Sequence, residues 1–205
     1  MRLYRPVTVL VGVALVIVAG LIRLAEPDER LDDVSRYAVH GSVGKPLDGK
    51  DFALTVTRVK FARAVDPRPD DDNANARPED KPIKTSGIFV TVEYEMRGQH
   101  ETGSAGEATL KADGGSVYVP ISKGISTQLN IPQPGFVESA SLVFEANPDD
   151  LVGLTLRAKQ LEVLSRTTED YAIDLGIGDE AVAKDMLEHA ENTYPLTRAT
   201  TRAAS

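Results

Sequence analysis

The stretch that decides the fold is GIFVTVEYEMRG, Gly87–Gly98. Ile88, Val90, Val92, Tyr94 and Met96 fall on one side of an extended chain, and Thr91, Glu93 and Glu95 on the other. Strict alternation of this kind predicts a β-strand over Gly87–Arg97, with one face in a core and one in water. A sheet wet on one side is usually antiparallel. Downstream, Glu107–Ala112 and Val117–Ile121 flank the turn signal Asp113-Gly114-Gly115 and read as a hairpin. Ile125–Ile131 reads as a short edge segment. Phe136–Glu145 alternates again, with Ala140, Leu142 and Phe144 inward. Leu151–Ala158 puts Val152, Leu154 and Leu156 on one face, and Leu161–Leu164 extends it. Upstream, Tyr37–Val43 reads as a first strand. Asp51–Val65 alternates through Phe52, Leu54 and Val56, then changes phase to Val59 and Phe61, which predicts a bulge or bend. Seven to nine short strands with no helical period between them imply an all-β, antiparallel β-sandwich over residues 37–164.

Two segments interrupt or follow this pattern. Residues 66–85, DPRPDDDNANARPEDKPIKT, hold four Pro, five Asp and no aromatic residue, the composition of a flexible acidic loop. A calcium loop counted from Asp70 would need Gly at its sixth position and Glu at its twelfth; Asn75 and Lys81 stand there instead. Residues 165–205 are expected to form a C-terminal extension outside the sandwich. Tyr171–Ile173 is compatible with one more strand. A helix is expected over about 178–191, with Asp179 and Glu180 in its first turn, a stripe of Val182, Met186 and Ala190 widened by Ala183 and Leu187, and Pro195 as its stop. Thr197–Ser205 is small and polar and is expected to be disordered.

The N-terminus has a different character. Val7–Ile22, VTVLVGVALVIVAGLI, contains no charge, and Pro6–Ala25 is interrupted only by Arg23. Twenty residues at about 1.5 Å each span about 30 Å, the hydrocarbon thickness of a bilayer. Residues 1–25 therefore read as a signal-anchor, one N-terminal transmembrane helix, and residues 26–36 as an acidic spacer. Arg2 and Arg5 precede the apolar run, while Glu26, Asp28 and Glu29 follow it, which places the N-terminus in the cytoplasm and the rest outside. The rival is a cleaved signal peptide, with Val18-Ala19-Gly20 as the cut site. The length of the run and the want of an A-x-A pattern favour the uncleaved anchor. Without Cys there is no lipoprotein acylation site.

Four stretches carry a family resemblance: VGKPLDGKDFALTVTRV (Val43–Val59), GIFVTVEYEMRG (Gly87–Gly98), ATLKADGGSVYVP (Ala108–Pro120) and IPQPGFVESASLVFEANPDDLVGLTLRA (Ile131–Ala158). Together they resemble the telokin-like, immunoglobulin-like exported bacterial domains of the DUF4352 type. Phe89 to Tyr94, Leu110 to Tyr118 and Pro134 to Phe144 fit that family's core strand, hairpin and Pro-Gly strand. One departure is the end of the core strand, Met96-Arg97-Gly98-Gln99, where the family often has an Asn-containing turn. The resemblance implies an immunoglobulin-like sandwich held outside the cell by a lipid or transmembrane anchor. It implies no agreed activity, and no functional residue carries over.

Composition narrows the chemistry. The 205 residues are 41% hydrophobic and 26% charged, with no Cys, three His and a net charge of −8. The first 25 residues carry three Arg and no acid, so the remainder is more acidic than the whole. That charge argues against a nucleic-acid partner, and the missing Cys excludes thiolate nucleophiles and Cys-type metal sites. Gly44–Lys50 has the spacing of a phosphate loop, but Asp51 stands where Ser or Thr is needed and a strand follows, so it reads as a turn. There is no G-x-S-x-G elbow. His40, His100 and His189 are isolated. Glu93 and Glu95 lie about 7 Å apart on one strand face, the pattern of a solvated face more than of a general acid–base pair. Six Tyr, five Phe and no Trp leave no clustered aromatic platform for glycans.

No catalytic, cofactor-binding or metal-binding residue is therefore assigned. The expected function is non-enzymatic: a membrane-anchored extracytoplasmic module presenting a protein-interaction surface, as an accessory subunit of an envelope or transport complex. The candidate surfaces are the acidic loop, the exposed face of Gly87–Arg97, and the tail helix at Val182, Met186 and Leu187. The alternative is an extracytoplasmic binding protein for a small ligand or cell-wall component, which requires a deep pocket with convergent polar groups.

Overall fold

In the computed structural model, the described residues are 38–49, 52–66, 81–99, 105–122, 128–160, 170–196 and 199–204. The expected anchor at 1–25, the spacer at 26–36 and most of the acidic loop lie outside them. Among the described residues no helix is long and apolar enough to cross a membrane.

The described residues form twelve strands and one α-helix: β1 (Ala38–Ser42), β2 (Leu47–Asp48), β3 (Phe52–Asp66), β4 (Ile83–Gly98), β5 (Ala105–Lys111), β6 (Val117–Tyr118), β7 (Leu129–Asn130), β8 (Phe136–Ala146), β9 (Thr155–Gln160), β10 (Asp170–Asp174), α1 (Glu180–Glu188), β11 (Tyr194–Pro195) and β12 (Thr200–Ala203). One sheet runs β1-β10-β9-β5-β6, with β7 also on β5. The other runs β11-β3-β4-β8-β12, with β2 also on β3. The two sheets enclose one core, to which β3, β4 and β8 contribute Phe52, Leu54, Val90, Val92 and Leu142, and β5, β9 and β10 contribute Leu110, Leu156 and Tyr171. This is a two-layer β-sandwich, as the alternation predicts.

The centre of the second sheet follows the sequence closely. Ile88, Val90, Val92, Tyr94 and Met96 are all buried in the core. The phase change in β3 is a register shift between Val56 and Arg58 opposite β4, so inward positions are even before it (Phe52, Leu54, Val56) and odd after it (Val59, Phe61). The hairpin at Asp113–Gly115 joins β5 to β6, with Leu110 opposite Tyr118. β3 and β4 run on into the expected loop as far as Asp66 and from Ile83, which leaves only 67–80 of it outside the described residues.

Four expectations require correction. First, the sandwich does not end at 164. β10 lies between β1 and β9 in its sheet, and Tyr171, Ile173, Leu175 and Ile177 are core residues. A five-residue strand buried on four positions carries too short a pattern to announce its place. Second, pairing is not wholly antiparallel: β1 runs parallel to β10, and β11 parallel to β3. Third, the outer face of β4 is only partly wet. Phe89 and Val143 form a second, smaller core with Ala62 and Val65, closed by Tyr194 and Leu196 from the chain after α1. Thr91 on that face is 0% exposed, and its hydroxyl has no hydrogen-bond partner among the described residues. Fourth, the stretch expected to be disordered contains a strand: Thr200–Ala203 pairs with Phe136–Ser139 at the sheet edge.

The helix is shorter than its stripe suggests. Asp179 is its N-cap, accepting from the Val182 amide at 2.9 Å, and His189 is its C-cap. Pro195 does not end it but sits in β11. Ala183 is buried, Met186, Leu187 and Ala190 pack against the core, and Val182 is 37% exposed. Of the three stripe residues, then, Val182 faces outward.

Candidate functional site

The ionisable groups that sequence spacing brings forward are committed to holding the fold. Glu93 accepts from Arg58 Nε at 2.9 Å and Nη2 at 2.8 Å, and from the Tyr194 hydroxyl. Glu95 receives Arg202 Nη2 at 3.2 and 3.3 Å and the Ser139 hydroxyl at 3.2 Å. Lys60 Nζ meets Glu191 Oε1 at 3.1 Å. The two glutamates thus take separate cations, and each fastens a different piece of the C-terminal chain: Glu93 holds β11, and Glu95 holds β12.

A second polar cluster closes the sandwich end at the 3-10 turn Pro148–Asp150. The Ser116 and Tyr118 hydroxyls both donate to Asp150 Oδ2 at 2.8 Å. These bonds hold the Asp150 carboxyl below its ordinary value. Burial, and then the bond to Asp150, pushes the Tyr118 hydroxyl up. Gly153 has φ +71° and lies against the Asp113 carboxylate, where a Cβ would overlap it. The Ser116 hydroxyl is thus given to a carboxylate and not to an imidazole; His40 and His189 are exposed, and His100 lies outside the described residues. Among the described residues, no three of His, Asp and Glu are grouped to hold a metal ion.

Two hollows lie on the two sides of the β8–β12 pair. Alternation sends Thr201 to the inner side with Glu138, and Arg202 to the outer side with Val137. On the outer side, Asp48, Glu95, Arg97, Val137 and Arg202 line a hollow of about 250 Å³. On the inner side, Asn130, Ile131, Pro132, Phe136, Glu138 and Thr201 line one of about 320 Å³.

Glu138 is the unusual residue here. It is 5% exposed, sits opposite Met96 of β4, and accepts from Asn130 Nδ2 at 2.6 Å. Asn130 belongs to β7, so this bond joins the two sheets. Burial pushes the Glu138 carboxyl above the usual carboxylate range, and the Asn130 bond opposes part of that rise. The Tyr94 hydroxyl is pushed up by its own burial and then by the Glu138 charge. The chain can turn in beside this site because Gly98 bridges to Pro134, where a Cβ would overlap the Pro132 carbonyl. Phe136 remains 43% exposed at the rim.

Of the three expected contact surfaces, the acidic loop lies mostly outside the described residues. Tyr194 and Leu196 cover part of the β4 face from within the chain. On α1, only Val182 is left as a large exposed apolar side chain. Glu138, Asn130 and Arg202 were not singled out by sequence. The signal for Glu138 is its parity: it shares the inward side with Ala140, Leu142 and Phe144 in Phe136–Glu145.

No family model matches the chain. The resemblance to DUF4352-type domains thus rests on the strands and turns quoted above. No curated protein matches it either. Among solved structures, an uncharacterised β-sandwich protein from Clostridium difficile aligns with 72% of this chain and 99% of its own, at 7% identity and a TM-score of 0.39. That likeness is too slight to bear on function.

Proposed function

We propose that this chain is a single-pass, N-terminally anchored bacterial membrane protein. Its immunoglobulin-like sandwich, of the DUF4352 type, lies outside the cytoplasm and serves a non-enzymatic role as a protein-interaction module, an accessory subunit of an envelope or transport complex. The observation that carries the anchoring is the uncharged run Val7–Ile22 between Arg2 and Arg5 on one side and Glu26, Asp28 and Glu29 on the other. The interaction role is supported by the sandwich interior, which is filled with side chains, and by concave surface that lies at a sheet edge. Confinement to a membrane raises the effective concentration of neighbouring membrane proteins, so modest contacts suffice.

The test is crosslinking in native membranes followed by purification in mild detergent, for the full-length chain and for one lacking residues 1–25. A stoichiometric membrane partner found with the full-length chain alone is the expected result. Recovery of the chain by itself in both forms overturns the subunit reading and turns attention to envelope polymers and small ligands.

A further inference from the structure

We infer that the outer edge of β8 is an acceptor for an extended strand of a partner protein, and that β12 occupies it in cis as a replaceable placeholder. The inference rests on the interaction-module reading above and names its surface.

Three observations carry it. All four residues of β12 are exposed, whereas β8 buries Val137, Leu142, Val143, Phe144 and Ala146. Besides its backbone pairing with Phe136–Ser139, β12 is held by the exposed Arg202–Glu95 ion pair and by the bond from the Ala204 amide to the Gly135 carbonyl at 2.8 Å. An exposed ion pair adds little, so β12 is far easier to lift off than the strand beneath it. Second, β12 underfills its own seat. Its inner side chains, Thr201 and Ala203, are small; the inner hollow of about 320 Å³ stays open beside Thr201, and Phe136, opposite Ala203, keeps 43% exposure. Third, the outer side carries a recognition charge: two carboxylates, Glu95 and Asp48, against one other cation, Arg97, line the hollow into which Arg202 reaches, and Glu95 takes Arg202 directly.

Main-chain pairing at a sheet edge supplies affinity, and pockets for alternate side chains supply specificity. The partner is therefore an extended segment running antiparallel to β8. It carries Arg or Lys at the position of Arg202 and larger apolar side chains at the positions of Thr201 and Ala203. Such a segment keeps the ion pair with Glu95 and buries Phe136, which β12 does not.

The test uses the full chain and a variant ending at Leu196, which retains β11, both purified in detergent. The probes are labelled synthetic peptides: ATTRAA, the sequence of residues 199–204; ATVRVA; and ATVEVA. Fluorescence anisotropy is expected to show ATVRVA binding the shortened chain at least tenfold more tightly than ATTRAA and ATVEVA. The intact chain is expected to bind it at least tenfold more weakly, and Glu95→Gln in the shortened chain to reduce the preference for Arg over Glu. Equal binding of all three peptides, equal binding by intact and shortened chains, or no binding by a folded shortened chain overturns the inference. Should the shortened chain not fold, hydrogen exchange on the intact chain decides. Amides of Thr200–Ala203 exchanging at least tenfold faster than those of Leu142–Phe144 support replaceability, and equal protection refutes it. Peptide binding without a crosslinked membrane partner preserves the groove and removes the subunit role. A partner captured equally well when β8 is blocked by excess ATVRVA preserves the module and removes the groove.

Discussion

Tyr171 offers the sharpest perturbation of the fold. It stands on β10, its ring stacks on Phe52 of β3 with centroids 4.3 Å apart, and its hydroxyl donates to the Phe52 carbonyl at 2.8 Å. It is therefore a tie between the sheets, made by a residue that sequence reading left outside the sandwich. The Phe52 carbonyl also accepts from the Gly49 amide at 3.1 Å. Removing the hydroxyl alone thus leaves the acceptor satisfied, and Tyr171→Phe is expected to cost about 1 kcal/mol, the net worth of one hydrogen bond. Tyr171→Ala removes the ring from a site that is 0% exposed, with an expected cost of about 3–5 kcal/mol as for other large aromatic truncations. For a domain of this size each kcal/mol moves the melting temperature by roughly 2–4 °C, so Phe costs about 2–4 °C and Ala about 6–20 °C. Differential scanning calorimetry of the three chains measures both. A Tyr171→Ala chain melting within about 2 °C of the parent, less than about 1 kcal/mol would produce, refutes β10 as an interior strand.

Three further outcomes are expected. A chain stopped after Leu164 loses the buried side chains of Tyr171, Ile173, Leu175, Ile177, Tyr194 and Leu196; at about 1.5–3 kcal/mol each this matches or exceeds a whole domain's stability of about 5–15 kcal/mol, so near-ultraviolet circular dichroism should show no fixed tertiary structure. Thr91→Val replaces a buried hydroxyl that has no partner among the described residues by a methyl group and should stabilise by about 1 kcal/mol in urea unfolding; destabilisation would mean that the hydroxyl is satisfied in solution. Glu138 has a raised pKa in the folded state, so its cost to stability is absent below the ordinary carboxylate value and grows as pH rises through the raised one. Glu138→Gln should accordingly be the more stable chain near neutral pH, with the gap closing towards about pH 4, and a gap that does not change with pH contradicts this.

The legible part of the fold is the part with long period-two runs. Gly87–Arg97 and Phe136–Glu145 announce their inward faces because five and three apolar residues recur at every second position. The phase change at Val56–Val59 even locates a bulge. What sequence did not place is short or indirect. β10 is five residues long, β11 two and β12 four, and such pieces take their structure from the sheet edges and faces they meet. Pro195 illustrates the difference, since a helix stop and an edge-strand residue are both sound local roles for it. Thr91 was expected on the wet face and is buried for a related reason: whether an outer face is wet depends on what crosses it, and Tyr194 and Leu196 arrive from over a hundred residues away. The β8–β12 rim was partly readable in the inward parity of Glu138; its partner Asn130, and the pairing of Arg202 with Glu95 on the other side, were not, because only the fold brings them near.

The central claim is that an N-terminal anchor presents this sandwich outside the cytoplasm. Its most direct test is a topology measurement on cells producing the full-length chain with an epitope tag after Ser205. The account predicts that the chain stays in the membrane pellet after carbonate extraction and that protease added outside, once the envelope is opened to it, removes the tag while cytoplasmic markers survive. A tag cut only after the cytoplasmic membrane is broken, or a chain released by carbonate, contradicts it.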